Sequence, residues 1–375
     1  MRLLDRYLLR EFLVPLGYCL TGFLLFWIAF DLFSELHGML EKHLLAWDIA
    51  EYYVFKTPEF LILVLPVALL LGLLYTLTNH ARNNEITAIR ASGVSLWRLC
   101  LPYFTVGVLS TVGLFVLNEY VVPRASARAD EILDRRIQHP VAAGERDTIK
   151  GLDFYNSGDG RLWHAGTYNQ RTGKMWNVLV QWHVAGGLIR MIKAESAVRT
   201  NGVWTFHDVQ ELMGRAQTNA LPTLVAQTNL MTFPEFSETR GMIESSIKIT
   251  ELRNNPTKTH RANISISEIR DYLRLNPRME PALRSWLFTK LYGRFAGPCA
   301  CLVVVLVAIP FGTGSNRRNV FVGVAASIFF FFIYYVLQQL GFAFGEAGRV
   351  PAWVGAWLPD LVFGAVGLGM MVRVR

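Results

Sequence analysis

Few residues in this chain are spaced to make or break bonds. A phosphate-cradling loop needs glycines ahead of a Gly-Lys-Ser/Thr unit. The only Gly-Lys pair, Gly173-Lys174, runs into Met175 inside a predicted hairpin. No His-Glu-x-x-His zinc site and no Gly-x-Ser-x-Gly elbow occurs. His164, His183 and His207 fall on three separate predicted strands, where a shared metal competes with a plain structural role for each. No catalytic centre, metal site or cofactor is therefore expected.

What remains is charge in unusual places. Asp360 follows Pro359 inside an apolar run. An acid within a membrane costs about 2.5–3.5 kcal/mol on insertion scales and is a functional candidate by default, unless water or an arginine reaches it near the boundary. Arg284, Lys290 and Arg294 lie on the approach to another apolar run. There they would hold anionic lipid headgroups or simply snorkel to the interface. Lys42 and His43 carry the same two readings. Glu85 sits in a short polar stretch, RNNEITAIRASGVSLWR (82–98), between two long apolar segments.

The elements that position these residues are mostly hydrophobic. Of 375 residues, 52% are apolar, which points to a polytopic membrane protein. Spans are predicted at 12–30, 60–79, 99–118, 295–316, 319–345 and 351–372. The first run is followed by acidic residues rather than a small-residue cleavage site, so it is expected to remain as a span. Cys19, Cys100, Cys299 and Cys301 all lie in apolar runs and read as free thiols. The net charge of +8 needs no nucleic acid to explain it, because arginine flanks the spans on one side. Arg2, Arg6, Arg10, Arg82, Arg90, Arg98, Arg317, Arg318, Arg373 and Arg375 fall on that side; Lys42, Lys56 and Arg349 fall on the other. Both termini and the 82–98 stretch are therefore expected in the cytoplasm.

The segment between spans three and four is polar and reads as β-structure. Trp176, Val178, Val180, Trp182 and Val184 alternate with polar neighbours, and Gly-rich turns separate runs at 152–156, 161–169, 188–199 and 202–212. A β-sandwich or jellyroll-like sheet follows from such spacing. Ser265 and Glu268 have capping-box spacing ahead of a short helix that Pro277 ends. The predicted organisation is a membrane α-helical protein with an inserted all-β domain. Residues 1–122 carry spans one to three, 123–280 a periplasmic β-jellyroll-like domain, and 281–375 spans four to six.

Within 82–98, Ile86, Ile89 and Gly93 mark an apolar face, Gly93 suits a helix stop, and Ser95 can cap the next helix. Two readings stand. The stretch is an interfacial turn that reverses the chain, or a helix that docks on a cytoplasmic partner through Glu85, with small Ala88 and Ala91 permitting close approach.

Several stretches in order resemble one family, the LptF/LptG permeases of lipopolysaccharide export: FDLFSEL (30–36), KTPEFLILVLPVALLLG (56–72), NNEITAIRASGVSLWRLCLP (83–102), NEYVVPRA (118–125) and LYGRFAGPCACLVVVLVAIPFG (291–312). Asp31 to Glu35 and Pro58-Glu59 lean toward the LptG side. The resemblance implies an inner-membrane heterodimer with a paralogous permease, bound to a cytoplasmic dimeric ATPase. Residues 82–94 would be the coupling helix, with Glu85, Ala88, Ile89, Arg90 and Gly93 facing the motor. Spans one and five would form a lateral gate for lipopolysaccharide, and the jellyroll would meet a periplasmic bridge protein. The outer end of span one is acidic up to Lys42, where the family tends to be basic. Asp31, Lys42, Arg294 and Asp360 are the residues expected along a substrate path, Asp360 for its place inside a span and not through the resemblance. The rivals are a permease for another lipid or lipoprotein, a membrane-anchored periplasmic scaffold, and a membrane-bound enzyme.

Overall fold

A computed structural model describes residues 3–134, 148–184, 186–215, 222–254, 263–313 and 320–373. The chain divides into two compact units, one of Met1–Ile137 with Pro281–Arg375, the other of Gln138–Glu280. The predicted basic turn at Arg317-Arg318, with Arg2 and Arg375, lies outside the described residues.

The first unit begins with α1 (Leu3–Glu41), α2 (Ala46–Arg82), α3 (Glu85–Ala91) and α4 (Leu96–Val116). At 1.5 Å per residue the 39 residues of α1 reach about 58 Å, well past a hydrocarbon core of about 30 Å. The residues ahead of the first predicted span and the span itself are thus one helix. Likewise α2 continues the second predicted span backwards, which takes Lys56 out of a loop and into a helix. The chain does not leave the membrane unit at residue 122. A π-helical turn (Leu117–Val121) carries α4 into α5 (Val122–Asp134), so this unit runs to Ile137. Val122, Ala125, Ala129 and Ile132 recur at helical spacing and are all buried.

In the second unit, β1 (Thr148–Asn156), β2 (Arg161–Asn169), β3 (Met175–Val184), β4 (Leu188–Thr200), β5 (Val203–Arg215) and β6 (Thr223–Phe233) form one antiparallel sheet in sequential order. This inserted sheet fits a jellyroll-like domain. The β4–β5 turn is Asn201-Gly202, with φ of 52° and 85°, the left-handed pair that a two-residue hairpin requires. Alternation holds for Val178 and Val180, which face inward, and fails on either side of them: Val184, expected on the same face, is exposed. Asn177 has a φ of 51°, which shifts the phase so that Met175, not Trp176, is buried. Among the described residues two helices follow, α6 (Arg240–Asn254) and α7 (Ile266–Leu275), and lend Ile243 and Leu275 to the sheet's apolar core. The capping box forms: Glu268 N–H donates to Ser265 Oγ at 3.2 Å, and Ser265 N–H to Glu268 Oε2 at 2.7 Å.

A polar hub is set into that core. Glu238, fully buried, accepts from Asn156 Nδ2 at 2.8 Å and Trp163 Nε1 at 3.2 Å, and pairs with Arg161 at 3.1 Å. Its backbone carbonyl accepts from Trp204 Nε1 at 2.8 Å. A buried carboxylate requires such a set of donors.

The first unit resumes with α8 (Pro281–Thr313), α9 (Val320–Glu346) and α10 (Ala352–Arg373). Among the described residues, six helices are thus long and apolar enough to cross a membrane. Small residues let them approach: a methyl added at Gly341 of α9 or Gly355 of α10 would strike the other's carbonyl oxygen. The four cysteines are free thiols.

Candidate functional site

The polar stretch between α2 and α4 folds as a tight elbow. Asn84, at a φ of 59°, ends the α2 turn, and α3 begins at Glu85. Gly93, at a φ of 88°, stops α3, and Ser95 Oγ accepts from Arg98 N–H at 3.3 Å to start α4. Ile86 is buried and Ile89 packs against the same core, so the predicted apolar face is the inward one. Thr87, Ala88, Arg90, Ala91 and Gly93 are exposed.

Glu85 departs from expectation. Rather than standing out as a charged contact, its Oε2 accepts from His80 of α2 (2.7 Å) and Tyr7 of α1 (3.0 Å), and Oε1 from Asn83 Nδ2 (3.4 Å). The side chain keeps 30% of its exposure, whereas the His80 side chain keeps 3%. Partial burial pushes the Glu85 carboxyl up, but the bonds from His80 and Tyr7 outweigh it and hold the group below the ordinary carboxylate range. Glu85 is thus the knot that ties α3 to α1 and α2. The surface left for a partner is small and uncharged apart from Arg90.

The four residues expected along a substrate path fall in three places, with Asp31 and Lys42 on the α1–α2 pair and Arg294 and Asp360 each elsewhere. Asp31 of α1 accepts from Lys56 Nζ (2.8 Å) and Tyr53 OH (3.1 Å) of α2, and the ammonium sits over the Tyr52 and Phe60 rings at 5.0 and 5.4 Å. Lys42 is half-buried in the turn between α1 and α2. Arg294 of α8 turns inward onto Asn118, meeting its side-chain oxygen at 2.8 Å and its carbonyl as well. Lys290 pairs with Glu346 at 2.9 Å, while Arg284 covers the Phe288 ring at 5.6 Å. Asp360 of α10 is buried and accepts from Tyr334 OH of α9 at 2.9 Å. These residues do not converge on one centre.

A feature without any polar signature lies between α1, α2 and α9. Phe23, Phe26 and Trp27, with Leu63, Val64, Val67, Leu70 and Leu71, and Ile328 and Phe331, line a cavity of about 250 Å³. Its walls are apolar side chains that the sequence presents only as span residues. In the β-unit, His164 Nδ1 lies 2.5 Å from Asp153 Oδ1. Among the described residues no group of three or more His, Cys, Asp or Glu is placed to hold a metal.

A helical membrane unit of this kind, with an inserted sheet, coincides with a single family description from end to end. The profile of the lipopolysaccharide export system permease LptF/LptG matches residues 6–373. The chain belongs to that family. A comparison with curated proteins returned no match. As an LptF/LptG permease it is a multi-pass membrane protein of lipopolysaccharide transport rather than a catalytic enzyme. The match spans both halves of the helical unit and the sheet between them, and so covers the residues of the elbow and of the apolar cavity. It does not separate LptF from LptG.

Proposed function

We propose that this permease is one transmembrane subunit of an ATP-driven exporter. It pairs with a paralogous permease, binds a dimeric ATPase on the cytoplasmic side, takes lipopolysaccharide from the inner membrane, and passes it to a periplasmic bridge protein. Both termini and the elbow face the cytoplasm, and the β-unit faces the periplasm. The arginine bias of the sequence supports this orientation.

The observation that carries the reading is the outward surface of α3. Ile86 and Ile89 fix the helix to the membrane core, and Glu85 binds it to two neighbours, while Thr87, Ala88 and Ala91 leave a shallow exposed surface. A helix held this firmly moves its neighbours when pushed, and small residues admit a close partner. The cavity between α1, α2 and α9 supports the other half of the reading, since acyl chains need apolar walls and a way in from the bilayer. The test is copurification in mild detergent. Ala88→Trp should abolish recovery of the ATPase while the permease stays monodisperse. Normal ATPase recovery and normal export in that variant would overturn the docking surface.

A further inference from the structure

The first turns of α1 are fastened to both flanks of the elbow. Tyr7 donates to Glu85 at the start of α3, and its ring lies 5.9 Å from that of His80, which holds the same carboxylate. Two residues earlier, Asp5 pairs with Arg98 in the first turn of α4 at 3.0 Å, with only 13% of the Asp5 side chain exposed. Phe12 is fully buried and meets the Tyr103 ring edge-on at 5.5 Å. Further along, the grip loosens. Between Leu16 and Met39 no residue of α1 is buried, yet this stretch turns Phe23, Phe26 and Trp27 toward the apolar cavity. The helix is therefore clasped at the elbow and half-covered at the cavity.

We infer that α1 carries movement of the elbow to the cavity, with Tyr7 and Asp5 as the positioning residues that couple it. This rests on the functional reading above, in which the elbow is pushed and the cavity admits lipid. A displacement of α3 would draw Tyr7 through the Glu85 bond, and a displacement of the first turn of α4 would draw Asp5 through Arg98. A continuous helix delivers that movement to Trp27, about 30 Å away at 1.5 Å per residue. Either contact could otherwise serve only to hold the start of α1 in place, and the two roles predict different kinetics.

The test uses the full permease with its partner subunit and ATPase in nanodiscs containing lipopolysaccharide. Tyr7→Phe removes one hydroxyl and leaves the ring. It should copurify the ATPase at wild-type levels and hydrolyse ATP, while lipopolysaccharide released per ATP falls about tenfold, as the loss of one hydrogen bond to a charged group would give. Asp5→Arg should lower the same ratio, and Asp5→Arg with Arg98→Asp should restore it. A contact that only holds the helix start would lower protein yield and hydrolysis together with release. An unchanged ratio in Tyr7→Phe and in Asp5→Arg overturns the inference. A wild-type permease that recovers no ATPase overturns the reading beneath it and the inference with it.

Discussion

His80 Nδ1 lies 2.7 Å from Glu85 Oε2, so a buried ring at the end of α2 holds the first residue of α3. With Tyr7 on the same oxygen, three helices meet at one carboxylate. The relationship makes the elbow a rigid part of the helical unit and leaves its outer surface for a partner.

The knot should show itself in pH dependence. Glu85 titrates below the ordinary carboxylate range in the fold. Its contribution to stability is therefore complete above the unfolded value, about 4.3, and is lost as pH falls through the lower folded value. Glu85→Gln should cost about 1 kcal/mol at neutral pH, discounted for screening at a partly exposed site. The difference in melting temperature between wild type and variant should shrink on acidification. A difference that grows toward acid contradicts the assignment.

Close packing of α9 on α10 gives a second expectation. Gly341→Val places a branched side chain where the carbonyl of Gly355 already stands. Overpacking of this kind costs about 1–3 kcal/mol. The variant's melting temperature in detergent should fall, and hydrogen exchange should rise in 341–355 before it rises in α2. Uniform behaviour across the helices would count against a local clash.

At Asp360 the structure separates shape from acceptor. Asp360→Asn keeps an oxygen for the Tyr334 hydroxyl, whereas Asp360→Leu leaves that buried donor unsatisfied. The leucine variant should lose about 1–3 kcal/mol and the asparagine variant less. Equal losses in thermal unfolding would show that the Tyr334 bond is not what Asp360 contributes.

Much of this architecture was legible in the residues. Apolar run lengths gave six spans, and Gly-containing turns bracketed five of the six strands. Side-chain spacing placed Ser265 and Glu268 as a capping box. The missed parts have physical reasons. Arg124, Arg128 and Asp130 made 122–134 look soluble, although Val122, Ala125, Ala129 and Ile132 carried the helical period that buries α5. Strand β6 is exposed along nearly its whole length, so it has no alternating face to read. Asn177 moved the phase of β3 through a backbone angle that composition does not reveal. At the elbow, the helix, its stop and the Ser95 cap followed from local chemistry. The bonds of Glu85 to Tyr7 and His80 did not, because Tyr7 is 78 positions away and reaches it only in the fold.

Orientation can be settled by labelling. The native cysteines lie within membrane helices, so an added thiol can be followed against a low background. Ala88→Cys, on the exposed surface of α3, should react with an impermeant maleimide only from the cytoplasmic side. Thr172→Cys, in the exposed β2–β3 turn, should react only from the periplasmic side. Labelling of both from one side would refute the proposed topology.

The most direct measurement reconstitutes the permease, its partner subunit and the copurifying ATPase in lipopolysaccharide-loaded proteoliposomes, and follows transfer of the lipid to an external periplasmic acceptor. Transfer should require ATP hydrolysis and be lost when Ala88→Trp blocks the outer surface of α3. Transfer that proceeds without ATP, or that persists at the wild-type rate in Ala88→Trp, would contradict the proposed function.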